Sequence, residues 1–194
     1  MKRILLLRHG RTEANDRWLY CGSTDLPLSQ RGKTELEEKK SRAAALDLTG
    51  FKVYISPMRR AKETLSILFG VDGMEEPGLR EMDFGAFEMQ SYNVLKDTEA
   101  FQRWCEGDNE RNVCPGGESG EQMRERVLES FQRLVSEHDR LLLVFHGGPI
   151  AAVMEHLFPD EGKNRYEWQP KNGSGYEIIM LNGSKAVCYN QLLE

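Results

Sequence analysis

The stretch "LLLRHGRTEAN", Leu5 to Asn15, decides the fold. A continuous apolar run, Ile4 to Leu7, reads as a strand covered on both faces, because a strand with one wet face would alternate. It ends abruptly in Arg8, His9 and Gly10, so the strand delivers a guanidinium and an imidazole together. "LLLVFHGG", Leu141 to Gly148, repeats the pattern far along the chain. If the two strands are neighbours, His9, His146 and Arg8 meet at one edge of a sheet. Ligands gather at the carboxyl ends of strands in open α/β sheets.

Working outward, strand-like and helix-like segments alternate. "PLSQRGKTELEEKKSRAAAL" predicts a helix capped by Ser29, and Phe51 to Ile55 a second strand. "SPMRRAKETLSILFG" predicts a helix with Ser56 as N-cap, Pro57 at its first position and Gly70 as its stop. Leu79 to Gly117 is irregular, with a short helix near Glu99 to Cys105. "SGEQMRERVLESFQRLVSEH" carries a capping box, Ser119 with Gln122, and apolar residues at helical spacing. Leu141 to Phe145 follows as a strand and Pro149 to Leu157 as a helix. The chain closes with "GYEIIMLNGSKAVCYNQL", two strand-like runs around Asn182-Gly183, a hairpin signal. The alternation predicts an α/β fold: three layers, α/β/α, with a mostly parallel central sheet and an antiparallel C-terminal edge hairpin. One domain spanning 1–194 is expected, with a lid or insertion around 90–117.

Composition narrows the function. The 194 residues carry a net charge of −5, which disfavours a nucleic-acid binder. No apolar run approaches the roughly 20 residues of a membrane span, and no secretory signal precedes the first strand. Cys21, Cys105, Cys114 and Cys188 are widely spaced, so reduced thiols in a cytoplasmic protein are expected rather than a zinc site. An anion site must therefore be a local cluster of positive groups. "SPMRRA" adds Arg59 and Arg60 at a helix N-terminus, where anions are already favoured.

Arg8-His9-Gly10-x-Thr12-x-x-Asn15, then "SPMRRAKET", "LREMDFGAFE" and "FHGG", in this order, resemble the histidine phosphatase superfamily, also called phosphoglycerate mutase-like. The resemblance covers nearly the whole chain and implies a phosphohistidine intermediate. His9 would be the nucleophile, since a neutral imidazole is nucleophilic near pH 7. Arg8 and Arg60 would hold the phosphoryl oxygens, with His146 donating to the same oxygens as a cation. Asn15 and the Gly147 amide would add donors. Arg60 matches the family position before alanine, leaving Arg59 as a surface charge. Glu81 would protonate the leaving oxygen and then activate water, with Asp83 or Glu13 as alternatives and Glu88 a further acid nearby. Thr12 is either a substrate contact or a turn hydroxyl. No metal or cofactor is required, because guanidinium groups supply the positive charge.

Within the family, phosphoglycerate mutases carry extra basic segments that this chain lacks. "WLYCGSTDLPLSQRG", "EMDFGAFEM" and Trp104-Cys105 before "PGGES" resemble the α-ribazole-5′-phosphate phosphatase branch, which often has methionine at the position of Met89. Cys21 and Gly22 in the first of these stretches are expected to contact substrate. Trp18, Tyr20, Phe84, Phe87, Tyr92 and Trp104 are candidates for a stacking wall around a benzimidazole-like base, with core packing as the alternative. The resemblance thus implies hydrolysis of a small phosphorylated metabolite by a monomer or homodimer. A broad sugar-phosphate or nucleotide phosphatase, a cofactor-dependent mutase and a non-catalytic phosphate binder are the alternatives, in that order.

Overall fold

In the computed structural model, which describes residues 1–107, 110–181 and 185–194, the first strand β1 (Lys2–Arg8) leads into a one-turn helix α1 (Glu13–Asp16) and then α2 (Gln30–Ala44). β2 (Lys52–Ile55), α3 (Arg59–Phe69) and β3 (Met74–Glu75) follow. Two short helices, α4 (Tyr92–Leu95) and α5 (Glu99–Cys105), precede the long α6 (Gly120–Glu137). The rest is β4 (Arg140–Phe145), α7 (Gly147–Leu157), α8 (Arg165–Trp168), β5 (Gly175–Leu181) and β6 (Lys185–Leu192).

The six strands lie in the order β3-β2-β4-β1-β5-β6. The first four are mutually parallel, β5 runs antiparallel to β1, and β6 pairs antiparallel with β5 at the edge. β1 is apolar throughout because it serves two cores. Ile4 and Leu6 join Leu141, Leu143 and Phe145 under α6 and α7. Leu5 and Leu7 face the other way, with Leu142 and Val144, under α2 and α3. Each such leucine contributes about 2 kcal/mol by leaving water. The three-layer arrangement and the antiparallel edge agree with the sequence reading.

Local signals place the helices. Ser29 accepts from the Gly32 N–H at the start of α2, and Ser119 and Gln122 close a reciprocal cap on α6. Gly70 ends α3 in the left-handed conformation at φ 64°. Two expectations need correction. α3 begins at Arg59, with Met58 rather than Ser56 at its N-cap and Pro57 outside it. The Ser56 hydroxyl is instead taken by His146 at 2.7 Å. α7 begins at Gly147, so Pro149 sits in its first turn, where a missing N–H costs nothing. The Asn182-Gly183 turn lies outside the described residues; the strands flanking it pair antiparallel. The segment containing α4 and α5 is anchored by Leu95 and Phe101, both buried in the larger core. Among the described residues no helix is long and apolar enough to cross a membrane.

Candidate active site

Strand register builds the site. Arg8 pairs with Phe145 across β1 and β4, so the next residues on each strand, His9 and His146, emerge level. Their rings meet edge to face, centroids 5.1 Å apart. Helix α7 starts at once after β4, and Gly147 at its head lets the backbone approach the Arg8 guanidinium. A Cβ there would lie 3.0 Å from Arg8 Cζ.

The two imidazoles carry their protons on different atoms. His9 Nδ1 is 2.7 Å from the Gly10 carbonyl, which can only accept, so Nδ1 is protonated and Nε2 keeps its lone pair. His146 Nδ1 accepts from Arg60 Nε at 3.3 Å. Its Nε2–H therefore donates to Ser56 Oγ. Burial, and then the nearby Arg60 cation, hold both rings well below the ordinary histidine value of 6.5; Arg8 adds to the effect on each. Both are neutral at pH 7. Desolvation and the two arginines thus oppose protonation of the His146 ring, whose Nδ1 accepts from Arg60 Nε and orients that guanidinium.

Arg60 is 1% exposed. Its NH1 donates to the Thr24 carbonyl at 2.9 Å and its NH2 to the Gly22 carbonyl at 2.8 Å. Arg8 NH1 donates to the Pro170 carbonyl at 2.8 Å, while its buried Nε has no partner. Burial lowers the Arg8 pKa and Glu81 partly restores it, but a guanidinium stays charged. Neither arginine has a carboxylate within ion-pair distance among the described residues. A buried charge costs several kcal/mol unless an anion answers it. Arg59, by contrast, is a surface charge 3.6 Å from Glu63, as expected.

The loop that grips Arg60 is organised by Glu88, which the sequence offered only as a nearby acid. Its Oε1 accepts N–H bonds from Gly22, Ser23 and Phe84 at 2.8, 2.9 and 3.1 Å. Its Oε2 accepts from the Thr24 amide and hydroxyl at 3.2 and 2.7 Å. Gly22 passes so close to Met82 that a Cβ would fall 1.6 Å from the Met82 carbonyl oxygen. Gly22 thus serves through its carbonyl, bonded to Arg60. The Cys21 thiol lies 3.6 Å from the Thr24 carbonyl, and burial pushes its pKa up to about 11, so it is no thiolate nucleophile.

Glu81 stands at the head of α7, its Oε2 accepting from the Gly148 N–H at 3.2 Å. The competing acids are engaged elsewhere. Asp83 accepts from Ser23 and Gly85, and Glu13 pairs with Arg17 on the exterior. Thr12 caps α1, and its hydroxyl and amide both donate to Asn15 Oδ1. Asn172 Nδ2 donates to the same oxygen at 3.3 Å and to the His9 carbonyl at 3.1 Å. What Asn15 offers a ligand is therefore its NH2.

Arg8 and Asn15 line a cavity of about 510 Å³ together with Arg11, Gln169, Asn172 and the aromatic residues Trp18, Tyr20 and Tyr92. The six candidate wall aromatics thus divide. Phe87 is core, and Phe84 and Trp104 pack against it. Trp18 is 84% exposed and holds φ at +56°, a conformation that costs a bulky residue about 1 kcal/mol or more. Met89 shares that conformation at φ +59°, and its N–H donates to the Tyr20 carbonyl. Sequence reasoning missed Ser56 as a histidine partner, and Gln169 and Asn172 altogether, since no local pattern marks them.

The profile of the histidine phosphatase superfamily (branch 1) matches residues 4–190. An adenosylcobalamin/α-ribazole phosphatase of Salmonella typhimurium is 30% identical over 189 residues, covering 93% of this chain and 92% of the relative. The crystal structure of the α-ribazole phosphatase from Shigella flexneri superposes with a TM-score of 0.81 at 26% identity, over 99% of this chain and 96% of that one. A phosphoserine phosphatase of Entamoeba histolytica, at 22% identity and a TM-score of 0.78 over 98% and 97% of the two chains, shares the fold.

Proposed function

Because the chain belongs to the histidine phosphatase superfamily, we propose that it hydrolyses α-ribazole 5′-phosphate, or a phosphomonoester of that shape, through phospho-His9. The observation that carries this reading is the His9 ring. With Nδ1 bonded to the Gly10 carbonyl, Nε2 is a neutral, unprotonated nitrogen beside the buried Arg60 and the half-buried Arg8, neither of which has a carboxylate within ion-pair distance among the described residues.

In the first half-reaction Nε2 attacks phosphorus, a P–N bond forms, and the P–O bond to the alcohol breaks. Glu81, entering as the acid, gives its proton to the departing oxygen. In the second half-reaction water attacks phosphorus, Glu81 takes a proton from it, and the P–N bond breaks to restore neutral His9. Arg8 and Arg60 offset charge on the phosphoryl oxygens, with the Asn15 NH2 and the Gly147 amide as neutral donors. His146 acts at one remove by fixing the Arg60 Nε. All these groups come from one chain, so the scheme serves a monomer or a homodimer alike.

The substrate assignment draws on the activity named for the Salmonella and Shigella relatives and on Trp18, Tyr20 and Tyr92 in the cavity lining, which suit an aromatic base. The test is phosphate release from α-ribazole 5′-phosphate in the presence of EDTA. His9→Ala should lose at least about 10⁴-fold in kcat/KM. It should also lose the acid-labile, base-stable phosphoprotein that substrate leaves on the wild type. Undiminished turnover in that variant would refute the scheme.

A further inference from the structure

The cavity wall holds one residue whose placement the fold itself does not explain. Trp18 is 84% exposed, and it makes no ring contact among the described residues, whereas Tyr20 beside it packs edge-on against Phe84, Phe101 and Trp104. A solvent-facing indole gains nothing by burial, and a left-handed backbone at a bulky aromatic is strained. Two unfavourable features at a single residue point to a use outside the folding of the free chain.

Trp18 is also held firmly. The Trp18 and Leu19 amides donate to Asn15 and Ala14 in α1, which stays rooted at the His9 strand end through Thr12 and Asn172. On the other side Leu19 bridges Ser91, and Tyr20 exchanges backbone hydrogen bonds with Met89 and Gln90. The indole is therefore carried by a backbone pinned before and after it. It lines the same cavity as Arg8 and Asn15, the groups assigned to the phosphoryl end. Tyr92, 58% exposed and resting on Phe101, completes the wall.

We propose that Trp18 is the specificity-determining platform of this site, on which a planar, uncharged aromatic part of the leaving group stacks while the phosphate is held at Arg8. This rests on the phosphomonoesterase reading and deepens it. The preferred ester places a flat heterocycle one sugar away from the reacting phosphorus, and the indole that is exposed in the free protein becomes covered on binding. Tyr20 is the fixed back of the wall and Trp18 its most exposed face. Stacking is tolerant of ring substituents because every flat heterocycle presents a π-face.

Two substrates isolate the effect: a benzimidazole riboside 5′-phosphate and methyl ribofuranoside 5-phosphate. They share the leaving 5′-oxygen, so the chemistry at phosphorus is common and the ratio of their kcat/KM values reports the base alone. Trp18→Gly should lower that ratio roughly tenfold, as loss of one base–aromatic stack does, mainly through KM for the riboside. Trp18→Phe should keep most of it. Because glycine adopts φ +56° freely, Trp18→Gly should melt no lower than the wild type. An unchanged ratio in Trp18→Gly overturns the proposal. A melting temperature several degrees lower also overturns it, since Trp18 would then be holding the fold. If the wild type turns over neither ester, the phosphatase reading fails first, and that result differs from an equal ratio measured on an active enzyme.

Discussion

β1 and β4 lie side by side, run parallel and end in the same dipeptide, His9-Gly10 and His146-Gly147. After β1, the imidazole turns its Nδ1–H back to the carbonyl of the next residue and keeps Nε2 basic. After β4, the imidazole lies between a guanidinium and a hydroxyl, so both its nitrogens are occupied. Matching sequence and matching strand ends thus give one ring free to react and one ring committed to holding Arg60. What separates them is the acceptor or donor presented by the surroundings. Local sequence does not encode that difference.

The comparison breaks most directly by truncating the committed ring. His146→Ala removes the acceptor of Arg60 Nε, and kcat/KM should fall roughly 10²–10³-fold, the range for a lost electrostatic contact. The phosphoprotein should still form in this variant. If labelling vanishes as it does in His9→Ala, the division of roles is wrong.

A second way to sharpen the comparison is pH. Both rings titrate in the folded chain well below their unfolded value of about 6.5. As pH falls below that value the unfolded chain takes up protons first, which favours unfolding. The stability of the neutral rings is therefore fully present above about pH 6.5 and is lost as pH drops toward the folded values. Urea unfolding between pH 7.5 and 5 should show this decline, and His9→Asn should flatten it; equal slopes would mean that ring is not held neutral. The smallest effect expected is that of Ser56→Ala. It strands the His146 Nε2–H in a buried site at a cost of about 1–3 kcal/mol, measurable as a lower melting temperature with the phosphoprotein retained.

Much of this was legible in the chain. A strand of consecutive apolar residues has to be covered on both faces, and its neighbour with the same ending fixed where His9 and His146 meet. The Ser119–Gln122 cap and the Gly70 stop are local physics and appear as written. The losses came where distant residues compete for one group. Ser56 suits a cap by type, yet the ring at residue 146 takes its hydroxyl. Asn172 joins His9 and Asn15 from more than 150 positions away. Periodicity cannot sort Phe87, which is interior, from Trp18, which faces solvent, when both stand in irregular segments.

Glu88 gives the molecule a mechanical linkage. Its carboxylate gathers the amides of residues 22–24, and the carbonyls of Gly22 and Thr24 clasp Arg60, while the adjoining residue, Met89, is bonded to Tyr20. The aromatic flank and the clasp on Arg60 are therefore joined by a path two residues long. On the proposed function, recognition of the alcohol and grip on the phosphorus would then meet at this one carboxylate, so a redesign of the first is expected to retune the second.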